Sequence, residues 1–158
     1  MRRALLSLLL LSLLQTAVVS AAYASLGGAP SQFGGTAPLR QAARSLAAAD
    51  TTGAAANYTV SQSTLDTGTV VREYVDTAGV VFAVSWNGPL LPDLRTLLGD
   101  HFTTMSSEAA KHPKAGHSQL AIDRPDVVIV SNGHMRSFSG RAWIPSALPA
   151  GFSTDSIE

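Results

Sequence analysis

Apolar and polar residues alternate through the middle of the chain with the period of a β-strand. Three runs, 58–65, 69–76 and 80–86, are rich in β-branched and aromatic residues, and Asp66-Thr67-Gly68 and Thr77-Ala78-Gly79 place turn residues between them. This predicts a three-stranded antiparallel meander. In the second run Val71, Glu73 and Val75 share one face and Val70, Arg72 and Tyr74 the other. In the third, Val80, Phe82, Val84 and Trp86 form the larger face, expected toward the core, opposite Val81, Ala83 and Ser85.

Trp86-Asn87-Gly88-Pro89 is expected to break the sheet, after which the apolar spacing changes from two to that of a helix. Pro92 stands at the expected first helical position with Asp93 near the positive end, and Leu94, Leu97, Leu98, Phe102 and Met105 continue one face. A polar stretch at 111–116 contains Pro113. Three further candidate strands follow at 117–123, 126–132 and 135–144, with Arg124-Pro125 and Asn132-Gly133 as turns. Before the first strand, 39–49 (LRQAARSLAAA) predicts a helix with Leu39, Ala42, Ala43 and Leu46 on one face. The expected class is α+β: an N-terminal helix, a three-stranded meander, a central helix and three more antiparallel strands.

The first residues belong to another pattern. Arg2-Arg3, the apolar run at 4–14 and Ala22-Tyr23-Ala24 follow the order of a secretory signal peptide, with cleavage expected after Ala24. The reading divides the chain into a signal peptide at 1–24, a flexible leader with a short helix at 25–56, whose start carries Gly27-Gly28, Pro30, Gly34-Gly35 and Pro38, and one α+β domain at 57–158. Export by the general secretory route, to the periplasm or the medium, follows from it. Retention of 4–22 as an anchor is the alternative; after cleavage no remaining apolar run is long enough to span a bilayer.

Composition narrows the chemistry. The 158 residues include no cysteine, which excludes disulfides, thiolate metal sites and cysteine nucleophiles. Charged residues make up only 14%. Without Arg2 and Arg3, nine dispersed basic residues face eleven acidic ones, so no basic patch points to a nucleic-acid partner.

Two blocks carry a family resemblance: Trp-Asn-Gly-Pro, Pro-Asp-Leu and Leu-Leu-Gly within 69–102, and Gly-His-Met-Arg-Ser-Phe with Gly-Arg-Ala-Trp within 126–151. Together with the signal peptide and the Leu26-Gly27-Gly28 start, they make the chain similar to the bacterial domain-of-unknown-function 2844 family over nearly its whole length. The resemblance implies a small exported bacterial protein, from a proteobacterium, and brings no activity or site with it.

No catalytic, cofactor or metal constellation emerges from the residues themselves. A Gly-x-Ser-x-Gly elbow is absent, and Ser139 and Ser118 (beside His117) are the nearest candidate nucleophiles. His101, His112, His117 and His134, with Asp100, lack the spacing of a metal site. Asp123 and Asp126 flank a turn, where such residues serve backbone conformation. The glycine pairs near the start follow no strand and so cradle no phosphate.

What remains is a candidate binding surface: Trp86, Pro89, Leu90, Leu91 and Pro92 as a stiff apolar corner, with Asp93 beside it and His134 and Arg136 on a later strand. The bland alternative has Trp86 closing the core and the prolines shaping a turn. The leading expectation is a non-enzymatic envelope protein binding another envelope protein or a cell-surface component. A small periplasmic hydrolase using His134, Arg136 and an acid, and a membrane-tethered accessory protein, are the alternatives.

Overall fold

The computed structural model describes residues 26–31, 58–111 and 119–158. Among these residues six strands form one antiparallel sheet: β1 (Tyr58–Thr64), β2 (Val70–Asp76), β3 (Val81–Gly88), β4 (Leu120–Asp123), β5 (Val128–His134) and β6 (Ser137–Trp143). Two helices, α1 (Leu94–Leu98) and α2 (His101–Lys111), lie between β3 and β4 in the chain. The α+β class therefore holds. The sheet order is β1-β2-β3-β6-β5-β4, so β3 and β6 sit side by side at the centre. The expected signal segment and the helix at 39–49 lie outside the described residues.

Both faces of the sheet are covered, which the alternation did not anticipate. The alternation itself changes phase at a bulge in β3: Tyr74 pairs with Ala83 but Val75 with Val81, leaving Phe82 as an extra residue. Phe82 and Ala83 consequently turn to one face, while Val81, Val84 and Trp86 turn to the other, and all six residues 81–86 are buried. On the first face Tyr58, Tyr74, Phe82 and Phe152 form a ring cluster, with Phe82 and Phe152 edge-to-face at 5.0 Å. The C-terminal segment lies over this face. There Arg72 donates to the main-chain oxygen of Glu158 at 2.8 Å, Ser85 donates to the same oxygen, and Arg141 donates to the carbonyl of Thr154 at 3.2 Å.

The other face packs Val71, Val84, Trp86, Ile122 and Ile129 beneath Leu94, Leu97 and Leu98 of α1, with Phe102 and Met105 of α2 against them. Residues 26–31 also join this layer. Leu26 is buried, its N–H donates to the carbonyl of Leu97, the Gly27 N–H donates to the carbonyl of Val81, and the Val81 N–H donates to the carbonyl of Gly28. Ser31 then closes over Glu73, donating both its N–H (2.9 Å) and its hydroxyl to one carboxylate oxygen.

Four expectations need correction. The segment Trp86-Asn87-Gly88 does not break the sheet but continues β3, pairing with Gly140, Ser139 and Phe138. Gly88 permits this because a Cβ there would stand 2.4 Å from the Cα of Thr69. Pro92 precedes α1 rather than opening it. Asp93 is the N-cap, accepting from the N–H groups of Arg95 and Thr96 and from the Thr96 hydroxyl at 2.7 Å. Those bonds, the Thr96 hydroxyl foremost, hold its carboxyl below the usual range. The single expected helix is divided at Gly99, whose N–H returns to the carbonyl of Arg95. Finally, Asn132-Gly133 is strand: the hairpin turns at Met135-Arg136, with Arg136 at φ 60°.

Glu73 makes the fold pH-sensitive in an unusual direction. It is 2% exposed, and burial raises its pKa above 4.5 despite the two opposing bonds from Ser31. A carboxyl raised on folding contributes stability that is full below its unfolded pKa and is lost as pH rises through the folded value. Asp93 and Asp126 act oppositely, their contribution falling away as pH drops below about 3.8. Glu73→Gln should therefore flatten the decline in urea midpoint as pH rises above 4.5. An unchanged slope in the variant would show that Glu73 does not carry it.

Candidate functional site

The register gathers several connections at one end of the sheet. Gly88 pairs with Phe138, which also pairs with Gly133, so the loop leaving β3 and the β5–β6 turn emerge from neighbouring strands on the same side. The β1–β2 turn joins them, because β2 begins opposite the end of β3. Buried Thr69 anchors the β3 loop: its hydroxyl donates to the carbonyl of Leu90 at 2.6 Å. The loop backbone is thus held from within, between Pro89 and buried Pro92.

Its side chains point outward. Leu90 is 52% and Leu91 47% exposed, and Met135 on the neighbouring turn is 99% exposed. Among the described residues these are the large hydrophobics that stand exposed, and all three lie at this one end. His134 and Arg136 flank Met135 and are exposed too. Met135 was not singled out by the sequence pattern, which put it inside a strand. A turn at 135–136 was its missing signal.

The other candidates separate from this surface. Trp86 is 2% exposed and fills the core against Gly140, and among the described residues its indole Nε1 meets no hydrogen-bond partner. Asp93 is committed to the α1 cap. Ser139 is half-buried in β6, whereas His112, His117 and Ser118 lie outside the described residues. Asp126 accepts from Arg124 at 3.0 Å across the β4–β5 turn, which lowers its pKa.

A shallow groove of about 460 Å³ lies at the α1–α2 junction, lined by Arg95, Thr96, Gly99, Asp100, Phe102 and Thr103. The Arg95 guanidinium stacks over the Phe102 ring at 4.9 Å and occupies one wall. His134 and Arg136 are not part of that groove. Among the described residues, no group of three or more His, Asp or Glu is placed to hold a metal ion. Nor is any helix among them long and apolar enough to cross a membrane. This end of the sheet thus presents three apolar side chains beside one guanidinium and one imidazole.

Against known protein families, residues 22–157 match the model described as protein of unknown function (DUF2844). No curated protein and no solved structure matches the chain.

Proposed function

The chain belongs to the DUF2844 family, and from that premise we propose that it is an exported envelope protein, periplasmic or secreted, that binds another envelope protein or a cell-surface component through the loop end of its sheet. The observation that carries this reading is the convergence of Leu90, Leu91 and Met135 at that end, the first two on a loop held by Thr69 and the third on a tight turn closed by the His134–Ser137 pair. Exposed apolar groups on stiff loops lose little conformational freedom on binding, and so favour recognition. The order of Arg2-Arg3, the apolar run at 4–14 and Ala22-Tyr23-Ala24 supports export.

The test is a triple variant, Leu90→Asp, Leu91→Asp and Met135→Asp, expressed in the native cell and cross-linked before purification. Loss of the wild-type cross-linked partner is the expected result. The folding free energy should change little, by about 0.5 kcal/mol per site, since none of these side chains closes the core. A variant that keeps the same partner at the same yield would overturn the assignment of this surface.

A further inference from the structure

We propose that the outer edge of β1 is a self-association edge, on which a second copy of this chain pairs antiparallel about a twofold axis through Ser61. The proposal is independent of the loop-end surface.

The two edges of the sheet differ. β4 is four residues long and is flanked by charge: Asp123 ends it, and Arg124 bridges to Asp126 at 3.0 Å and to Glu108 of α2 at 3.5 Å. Short, charged edges resist pairing with another chain. β1 is seven residues long, YTVSQST, with no charge, no proline and no glycine. Its register with β2 is unbroken from Tyr58↔Asp76 to Thr64↔Val70, and among the described residues it pairs with β2 alone. None of the devices that blunt an edge is present within it.

The hydrogen-bond phase fixes which groups face outward. Leu65 donates its N–H to the carbonyl of Thr69 at 2.8 Å, so 65 and 69 form a hydrogen-bonded pair. Inward bonds then alternate through 63, 61 and 59, which leaves the N–H and C=O of Tyr58, Val60, Gln62 and Thr64 directed at the free edge. Antiparallel partners must match these outward residues with each other. A twofold axis at Ser61 does so over the full strand, joining Tyr58 to Thr64, Val60 to Gln62 and the reciprocal pairs, with about eight main-chain bonds.

The side chains agree with this register. On the helix-covered face Thr59 meets Ser63 of the second copy and Ser61 meets Ser61, small hydroxyl pairs without repulsion. On the other face Val60 meets Gln62, while Tyr58 is already held against Phe82 and Phe152. The twofold axis stands perpendicular to the sheet, so the two copies form one continuous sheet with their helices on the same side, an isologous contact.

The absence of cysteine makes the test direct. In Ser61→Cys the two thiols would face each other across a non-hydrogen-bonded pair, whose Cα separation of about 4.5 Å suits a disulfide. With diamide as oxidant, the expected result is rapid covalent dimer in Ser61→Cys and little in an exposed control, Thr103→Cys. A second pair of variants separates association from folding. Thr59→Lys with Ser63→Lys sets like charges opposite each other twice, and should raise the dimer dissociation constant in sedimentation about tenfold. Thr59→Lys with Ser63→Glu sets opposite charges there and should restore it. Equal cross-linking of the Ser61→Cys and Thr103→Cys variants, or a monomer at all concentrations with or without the charge pairs, would overturn the proposal; a strand from another protein, or from residues before β1, would then be the occupant.

Discussion

Gly140→Ala is expected to destabilise the protein by about 3 kcal/mol, the upper end for overpacking a core by one methyl. The added Cβ would stand 2.2 Å from Trp86 Cζ2, 2.5 Å from Cε2 and 2.7 Å from the carbonyl oxygen of Val130. The indole has nowhere to go, because it is among the largest fully buried side chains of the helix-covered layer. Nor can Val130 withdraw without loosening β5 from β6, to which it is paired at Arg141. Urea unfolding measures the loss. The mechanism is separable by a double-mutant cycle: Trp86→Phe removes the contacted atoms of the indole, so Gly140→Ala should cost less in that background. Purely additive effects would place the strain in the backbone rather than against Trp86.

Phe82→Ala should cost about 3–5 kcal/mol, the usual range for emptying a buried aromatic site. Against a total stability of about 5–15 kcal/mol for an ordinary domain, this brings the variant near unfolding at modest temperature. Phe82 is fully buried and touches three other rings, at 5.9 Å from Tyr58, 6.3 Å from Tyr74 and 5.0 Å from Phe152. Its loss should also free the C-terminal cover. Amide exchange is therefore expected to accelerate at residues 145–158 by more than the global destabilisation explains. Phe152→Ala, at a half-buried ring, should produce that local release with a smaller global loss. Uniform acceleration in both variants would mean that the cover and the sheet open as one unit.

The strands were readable because each is bounded by residues whose conformational demands are local: Asp66-Thr67-Gly68 and Thr77-Ala78-Gly79 close turns whatever surrounds them. The β5–β6 turn was misplaced for the same kind of reason. Asn132-Gly133 is a strong turn signal, yet the ladder to β6 continues through both residues and makes Arg136 adopt the left-handed conformation. Tertiary pairing outweighed the local preference there. The bulge at Phe82 was invisible to an alternating pattern, since an inserted residue changes the phase without changing the composition. With it went the inference that one face of β3 is the larger.

The candidate surface was legible in part. The stiff corner around Pro89 was apparent from its prolines and leucines, but only the register brought Met135 and Arg136 to the same end. Trp86 shows why the rest was not legible: an aromatic residue beside a proline-rich corner has the composition of an anchor as well as of a core residue, and its burial is completed by Gly140, far along the chain in β6.

The central position of β3 and β6 has a consequence for how the chain finds its structure. β1, β2 and β3 pair across short turns, as do β4, β5 and β6, so each set forms at small entropic cost. The seam between them closes a loop of about fifty residues, from Gly88 to Phe138, and the apolar layer beneath the helices draws Val84 and Trp86 from one set and Ile122 and Ile129 from the other. Neither set can bury its side of that layer before they meet. The topology thus concentrates the kinetic barrier at the middle of the sheet, where two quickly made halves must dock, rather than at its edges.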